Sequence, residues 1–499
     1  MGVEDLARAD EVALAKLGYK QELKRSWGFF LNMGTSLGFI GYVSSVATLY
    51  TYAATTGGPQ IMLIGWTAGG LYYWSAKLSP PEWGPWMAWL TGWFNICGML
   101  VGGASTALIV SSLVASLIQM NNPDFVPSSG FMYGVGVAFA VLGGVLNSMG
   151  ERFLRYATYL ALIGIGTGVF VIGIPMLVMS PVKATAQETF GTFVDMTGWD
   201  NSAVVSQLGL LMPIWVFWGY DASAHLSEET LDSASTPARS IVIALGASQV
   251  LGYAFVLILN FTVPDIDGVL ECSYAQPLVC AFEQATGGSQ SVTMFLTIWM
   301  IFQFIWNIQT AQNGGSRALY AWARDGALPK FFHWVHPETK QPLRTVWFFT
   351  IISCVLLLAN FGSSVAISAF SAFSTIGMNV AYALPTLCKL IWARNTFKQS
   401  AFNLGRLSIP INIIAVLWMF YVVAILCIPQ LIPVTASTLN YSPVMLGGVF
   451  ILITIYWYAG ARKWFVGPKL HITLEEAEEL EKEKYDQDMQ KASALGVSV

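Results

Sequence analysis

The stretch FWGYDASAHLSEET, Phe217 to Thr230, closes an apolar run, SAVVSQLGLLMPIWVFWGYDASAHL, long enough to cross a bilayer. Gly219, Asp221 and His225 lie inside that run. A lipid-facing helix does not tolerate this, because an ionised group at membrane depth costs at least a few kcal/mol. The helix must therefore face a polar pathway, and Gly219 is where it can break. That combination reads as a substrate site.

The rest of the chain supports a membrane setting. Of its 499 residues, 55% are hydrophobic and only 11% are charged, about half the charge of a soluble protein. Apolar runs recur near 28–54, 86–119, 131–147, 157–180, 204–226, 240–262, 290–313, 345–361, 364–388, 408–430 and 441–460. These eleven clear spans predict an all-α polytopic membrane protein. No signal peptide is visible in the charged residues 1–25, so the first span is expected to anchor the chain.

Lys and Arg sort among the loops. Arg8, Lys16, Lys20, Lys24 and Arg25 lie in the tail 1–27, five more basic residues in 314–344, four in 389–407, and Arg462, Lys463 and Lys469 near the other tail, 464–499. Segments 120–130, 263–289 and 431–440 hold none. The positive-inside rule places both tails in the cytoplasm, and the plasma membrane is the expected location. Parity then conflicts with the span count. An even number of crossings must precede residue 86, yet one strong span, 28–54, is visible there. The other candidate is the weak segment Pro59 to Lys77, with its three glycines. It either crosses as a weak, tilted or re-entrant segment, or a span is missing.

Within a transmembrane region 28–463, residues 204–388 hold five spans, the first broken at GYDAS. Residues 28–180 hold four strong spans, the first interrupted by GFIGYVSS, Gly38 to Ser45. Many secondary transporters are two inverted five-helix repeats, each opening on a broken helix. The expected fold is therefore five plus five helices with two further C-terminal helices at 408–460.

FWGYDASAHLSEET followed by Pro237, GGSRALYAWARDGALPKFFHWVHPETKQP (Gly314 to Pro342), GGLYYWSAKLSPPEW with TGWFN (Thr91 to Asn95), FNLGRLSIPINIIAVLW and LIPVTASTLNYSPVM occur in this order. Together they resemble the fungal amino acid/choline/γ-aminobutyrate permeases of the amino acid–polyamine–organocation superfamily, over roughly residues 15–465. The resemblance implies twelve spans and import of a small amine-bearing solute: an amino acid or γ-aminobutyrate first, choline or a polyamine second. Two departures stand out. In the family, the GGP…GW stretch runs on into a full second span, whereas here Trp66 passes directly to Thr67-Ala68-Gly69-Gly70. Met99 replaces a residue that is often polar in the family's third span. A non-transporting sensor or a truncated inactive isoform is therefore the alternative to a permease.

At a break, freed N–H groups face a carboxylate and freed carbonyls face an ammonium or cation. Gly41, Tyr42, Ser44 and Ser45 flank the first break; Phe217, Trp218, Gly219, Tyr220 and Asp221 flank the second. The aromatic pair offers either a π face to an ammonium or ordinary packing. Gln303 and Asn307, four apart, share a helix face and either line the path or bond between helices. Asp221 and His225 are likewise four apart. They are read as a contact for the solute or a proton, or as a polar tie between helices. Glu228 and Glu229 are expected to meet Arg317 or Arg324 in an inner gate, or to be solvated. No Lys lies in the fifth span to replace a coupling cation, so proton and sodium both stay open.

Cys272 and Cys280 share a loop on the expected outer face and are candidates for a disulfide. No metal-ligand spacing, phosphate-binding loop or nucleophile–base pair appears, so no cofactor, metal, nucleic acid partner or enzyme activity is expected. Membrane lipid is the expected surround, and oligomeric state is left open. The acidic tail Thr473 to Lys491 reads as a solvated helix with a capping box at Thr473 and Glu476.

Overall fold

A computed structural model of the chain describes residues 3–16, 20–55, 75, 78–233, 235–362, 366–396, 405–436, 438–467 and 482. The segment 59–77, but for Ser75, and the expected tail helix 473–491, but for Lys482, lie outside the described residues. So do the residues around Trp66 and Thr67.

The fold is an all-α polytopic membrane protein. The described residues form no β-strand; Trp27 and Thr230 make an isolated bridge. A short helix, α1 (Val3–Lys16), precedes the bundle. The first crossing is split into α2 (Phe29–Ile40) and α3 (Tyr42–Thr55). Then follow α4 (Gly84–Asn121), α5 (Ser129–Ser148), and α6 (Glu151–Gly166) continued by α7 (Gly168–Met179). The stretch around Asp221 forms α8 (Ser202–Gly209), α9 (Leu211–Val216) and α10 (Ala222–His225). Beyond it come α11 (Thr236–Thr262), α12 (Gln290–Arg324), α13 (Leu343–Leu356), α14 (Ala366–Ile391), α15 (Ser408–Leu426) and α16 (Ser442–Ala459).

Nine helices among the described residues are long and apolar enough to cross a membrane. The sequence points to two more crossings. One is 204–226, which is helical only in short pieces because it breaks. The other is 364–388, where α14 is 26 residues long but carries Ser371, Ser374, Thr375 and Asn379 along its length.

Burial explains the arrangement. The central pair is α4 and α14, which pack along each other. α4 carries no charged residue, and its glycines bring α14 close: a Cβ on Gly98 would meet Met378 at 3.0 Å. α16 is the opposite case. Val444, Ile451, Leu452 and Ile455 on it are all more than half exposed. Apolar side chains facing outward are what helices show when their solvent is hydrocarbon. Helix starts are set locally. Ser128 caps α5 by accepting the Phe131 N–H at 3.1 Å. α6 starts at Glu151, earlier than the apolar run, because positive-φ Gly150 turns the chain just before it.

Candidate functional site

Two glycines with positive φ interrupt helices deep in the bundle. Gly41 (φ 47°) separates α2 from α3, and Gly219 (φ 75°) lies between α9 and α10. A Cβ at Gly41 would sit 2.6 Å from Ser44 Oγ and 2.7 Å from Asn307 Nδ2. A Cβ at Gly219 would overlap the Phe39 ring. Both positions therefore need glycine for conformation and for space. Gly219→Ala adds left-handed strain of about 1–2 kcal/mol to that overlap. It is expected to lower the melting temperature of the purified protein and its amount at the cell surface. A variant as stable and abundant as wild type would contradict this close approach of Phe39.

The second break gathers the chemistry. The Gly219 N–H donates to the Tyr382 hydroxyl at 3.1 Å, and that hydroxyl donates to Asp221 Oδ1 at 2.7 Å. Asp221 Oδ2 meets His225 Nε2 at 3.0 Å and accepts from Asn95 Nδ2 at 3.4 Å. Asp221 is fully buried, and the His225 side chain is 4% exposed. The Asp221 carboxylate pairs with no Lys or Arg among the described residues; its ionic partner is His225. A lone buried carboxylate costs several kcal/mol unless paired and hydrogen-bonded.

Aromatic rings close the space beside the carboxylate. Phe39 and Trp218 meet edge to face at 5.1 Å, Trp218 stacks on Trp215 at 4.8 Å, and Tyr220 lies 4.8 Å from Tyr382. Gly102 of α4 leaves the room that the Trp218 ring fills. Ser36 ties the two broken helices together: its hydroxyl donates to the Tyr220 carbonyl at 2.7 Å and lies 2.6 Å from Ser223 Oγ. Phe217 is buried beside Trp218.

At the first break several expected solute contacts serve the protein's own backbone. Ser44 Oγ donates to the Gly41 carbonyl (2.8 Å) and Ser45 Oγ to that of Ile40 (2.6 Å). Asn307 Nδ2 donates to the Gly38 and Phe39 carbonyls at 3.1 and 2.8 Å. The Tyr42 hydroxyl points to the Ile165 carbonyl at 2.8 Å, toward the junction of α6 and α7. The Gln303 amide is buried against Gly168, whose Cβ would lie 2.6 Å from Nε2. Tyr42, Ser44, Ser45 and Asn307 thus each bond the protein's own backbone here, whereas the buried Gln303 amide has no hydrogen-bond partner among the described residues. A freed carbonyl takes the nearest donor, and here that donor is a side chain.

One end of the bundle is tied by ion pairs. The sequence left open which acid meets which arginine. Arg317 Nε bonds Glu229 Oε1 at 2.8 Å, both side chains being about 2% exposed, while Arg324 Nη1 bonds Glu228 Oε2 at 2.6 Å. Arg317 also donates to Gln341 Oε1 at 2.6 Å. Residues 20–27 lie across this end as an arm. Glu228 Oε1 accepts the N–H groups of Glu22 (3.0 Å) and Leu23 (3.2 Å), and the Glu229 carbonyl accepts those of Ser26 and Trp27. Asp10 of α1, nearly buried, accepts the Asp232 and Ser233 N–H groups at 2.7 and 3.0 Å. Burial raises the Glu22 carboxyl pKa, but hydrogen bonds from Tyr320 and His333 and the Arg324 charge outweigh that and hold it below the usual value. Its contribution to stability is thus complete at neutral pH and is lost as pH falls through that lowered pKa.

Cys272 and Cys280 are joined by a disulfide, with Cα atoms 6.1 Å apart. No group of three His, Cys, Asp or Glu side chains able to hold a metal ion occurs among the described residues.

Two helices broken at glycine inside an apolar bundle, one beside a buried carboxylate, define a membrane transport protein rather than an enzyme. The chain belongs to the amino acid permease family, whose pattern it matches over residues 28–451. It is 32% identical to the amino-acid permease BAT1 of Arabidopsis thaliana, over 92% of this chain and 96% of that protein. It is 33% identical to the amino-acid permease BAT1 homolog of Oryza sativa subsp. japonica, over 91% and 94% of the two chains. A putative polyamine transporter of Candida albicans shares 25% identity over 95% of this chain and 92% of its own length.

Proposed function

We propose that this chain imports a small amine-bearing solute by alternating access, with both termini cytoplasmic and the plasma membrane as its site. An amino acid or γ-aminobutyrate is the first choice, and choline or a polyamine the second. The observation that carries this is Asp221: a fully buried carboxylate two residues past the glycine of a broken helix, paired with no Lys or Arg among the described residues. An ammonium brought to Asp221 supplies the missing positive charge. The relatives, an amino-acid permease and a putative polyamine transporter, support the same chemical class.

A second reading has its own support. The alignment with the Arabidopsis relative spans 495 positions yet uses 92% of these 499 residues, so about 36 positions lack a residue here. That shortfall exceeds the roughly 20 residues of one membrane crossing. It fits a chain missing its second span at Trp66–Thr67, and with it a sensor or an inactive isoform. Uptake of labelled amino acids, γ-aminobutyrate, choline and putrescine by a transport-null strain separates the two. Saturable uptake competed by unlabelled solute is expected. Normal surface delivery without uptake of any of them would sink the permease reading.

A further inference from the structure

We infer that the first helix break is held by a neutral amide standing where a monovalent cation would otherwise bind, so the chain needs no sodium ion to keep that break in shape. The argument starts from the backbone. Breaking a helix frees carbonyls, and freed carbonyls deep in a membrane protein are the usual ligands of a transported or structural cation. Between Gly38 and Gly41 four consecutive carbonyls each receive a side-chain donor. Asn307 Nδ2 donates to Gly38 (3.1 Å) and Phe39 (2.8 Å), Ser45 Oγ to Ile40, and Ser44 Oγ to Gly41.

Among these donors Asn307 alone comes from outside the first crossing, from α12, and it alone bridges two of the carbonyls. Its orientation is forced: turning the amide would set Oδ1 against two carbonyl oxygens. The –NH2 group thus presents two partial positive charges to two oxygens, as a small cation would. Thr310, one turn along α12, completes the surroundings. Its hydroxyl donates back to the Trp306 and Asn307 carbonyls, which leaves its oxygen lone pairs available, and a Cβ on Gly38 would lie 3.1 Å from that oxygen. Carbonyls 38 and 39, with the Thr310 oxygen beside Gly38, would offer hard oxygens to Na⁺ or Li⁺ once the amide is gone. Asn307 is therefore a positioning residue: it acts on the solute through the break it holds.

The consequence for uptake rests on the transport reading; the structural claim does not, and melting of the purified full-length protein tests it. Wild type is expected to melt at the same temperature in sodium, lithium, potassium and choline chloride at equal ionic strength. Asn307→Asp, which exchanges the amide for a carboxylate facing the same oxygens, is expected to be stabilised selectively and saturably by Na⁺ or Li⁺, by several degrees. If that variant does not fold, Asn307→Ser, which shortens the donor and opens the cradle, is expected to show the same selectivity. Sodium-specific stabilisation of wild type would overturn the inference, and so would folded variants indifferent to the cation. Uptake equal in sodium and choline media extends the result to transport. Absence of uptake in both media counts against the transport reading alone.

Discussion

Asp221→Asn is expected to reduce solute uptake by at least about 30-fold, while leaving a protein that folds and reaches the membrane. Truncating one partner of a buried charge pair costs about 2–5 kcal/mol, and the lower bound corresponds to that factor. The change is nearly isosteric. The Tyr382 hydroxyl (2.7 Å) keeps an acceptor, and His225 (3.0 Å) keeps a polar neighbour. What disappears is the negative charge, and with it the attraction that the proposed amine-bearing solute would meet. Tyr382→Phe keeps the charge and removes one hydrogen bond to it, typically about 1.5–3 kcal/mol. Its uptake should fall less than that of Asp221→Asn. Initial rates of labelled uptake, normalised to surface protein, measure both. Uptake by Asp221→Asn within a few-fold of wild type would show that the carboxylate only ties helices together.

Glu229→Ala is expected to destabilise the protein by about 3–5 kcal/mol, because it strands the Arg317 guanidinium in a buried site. Arg317 is 2% exposed and retains only Gln341 (2.6 Å) and a long contact to Ser316 (3.5 Å) once Glu229 is gone. Replacing both partners with apolar residues, as in Arg317→Met with Glu229→Leu, should recover much of the loss, since neither charge is then left unpaired. Thermal melting in detergent reads the stability. Glu228→Ala supplies the contrast: the Arg324–Glu228 pair is more than a tenth exposed, so water screens the guanidinium that remains. A Glu229→Ala protein as stable as wild type would mean that the buried pair contributes nothing to holding this end of the bundle.

Much of this was legible in the sequence, and the reason is chemical. Apolar runs of membrane length leave few alternatives to helices, and Gly219 and Asp221 stand out because hydrocarbon penalises both a gap in hydrogen bonding and a charge. Gly41 was legible only as one glycine in GFIGYVSS, since glycine is also common where helices simply pack closely. The partners of Asp221 were not legible. Asn95 and Tyr382 lie 126 and 161 residues away, and sequence spacing reports neighbours only along one helix. An amide far from either end of the uncharged α4 was the available signal for Asn95; nothing singled out Tyr382 among nineteen tyrosines. Ser44 and Ser45 were read as solute contacts because hydroxyls at a break have two uses, and only coordinates show that the backbone claims them. The docking of Asp10 and residues 20–27 onto 227–233 was invisible for a further reason. Most of those bonds run to backbone groups, which every residue type carries.

That arm also fixes an order of events during synthesis. Residues 20–27 leave the ribosome well before their partners: Glu22, Leu23, Ser26 and Trp27 bond Glu228 and Glu229, some two hundred residues later. At about 5–20 residues per second, the wait is roughly 10–40 s. Until then the arm's donors have only water, and the bundle end that it will cover stays uncapped. The arm is thus seated only after the roughly two hundred residues between it and its partners, about six hundred nucleotides of message, have been translated.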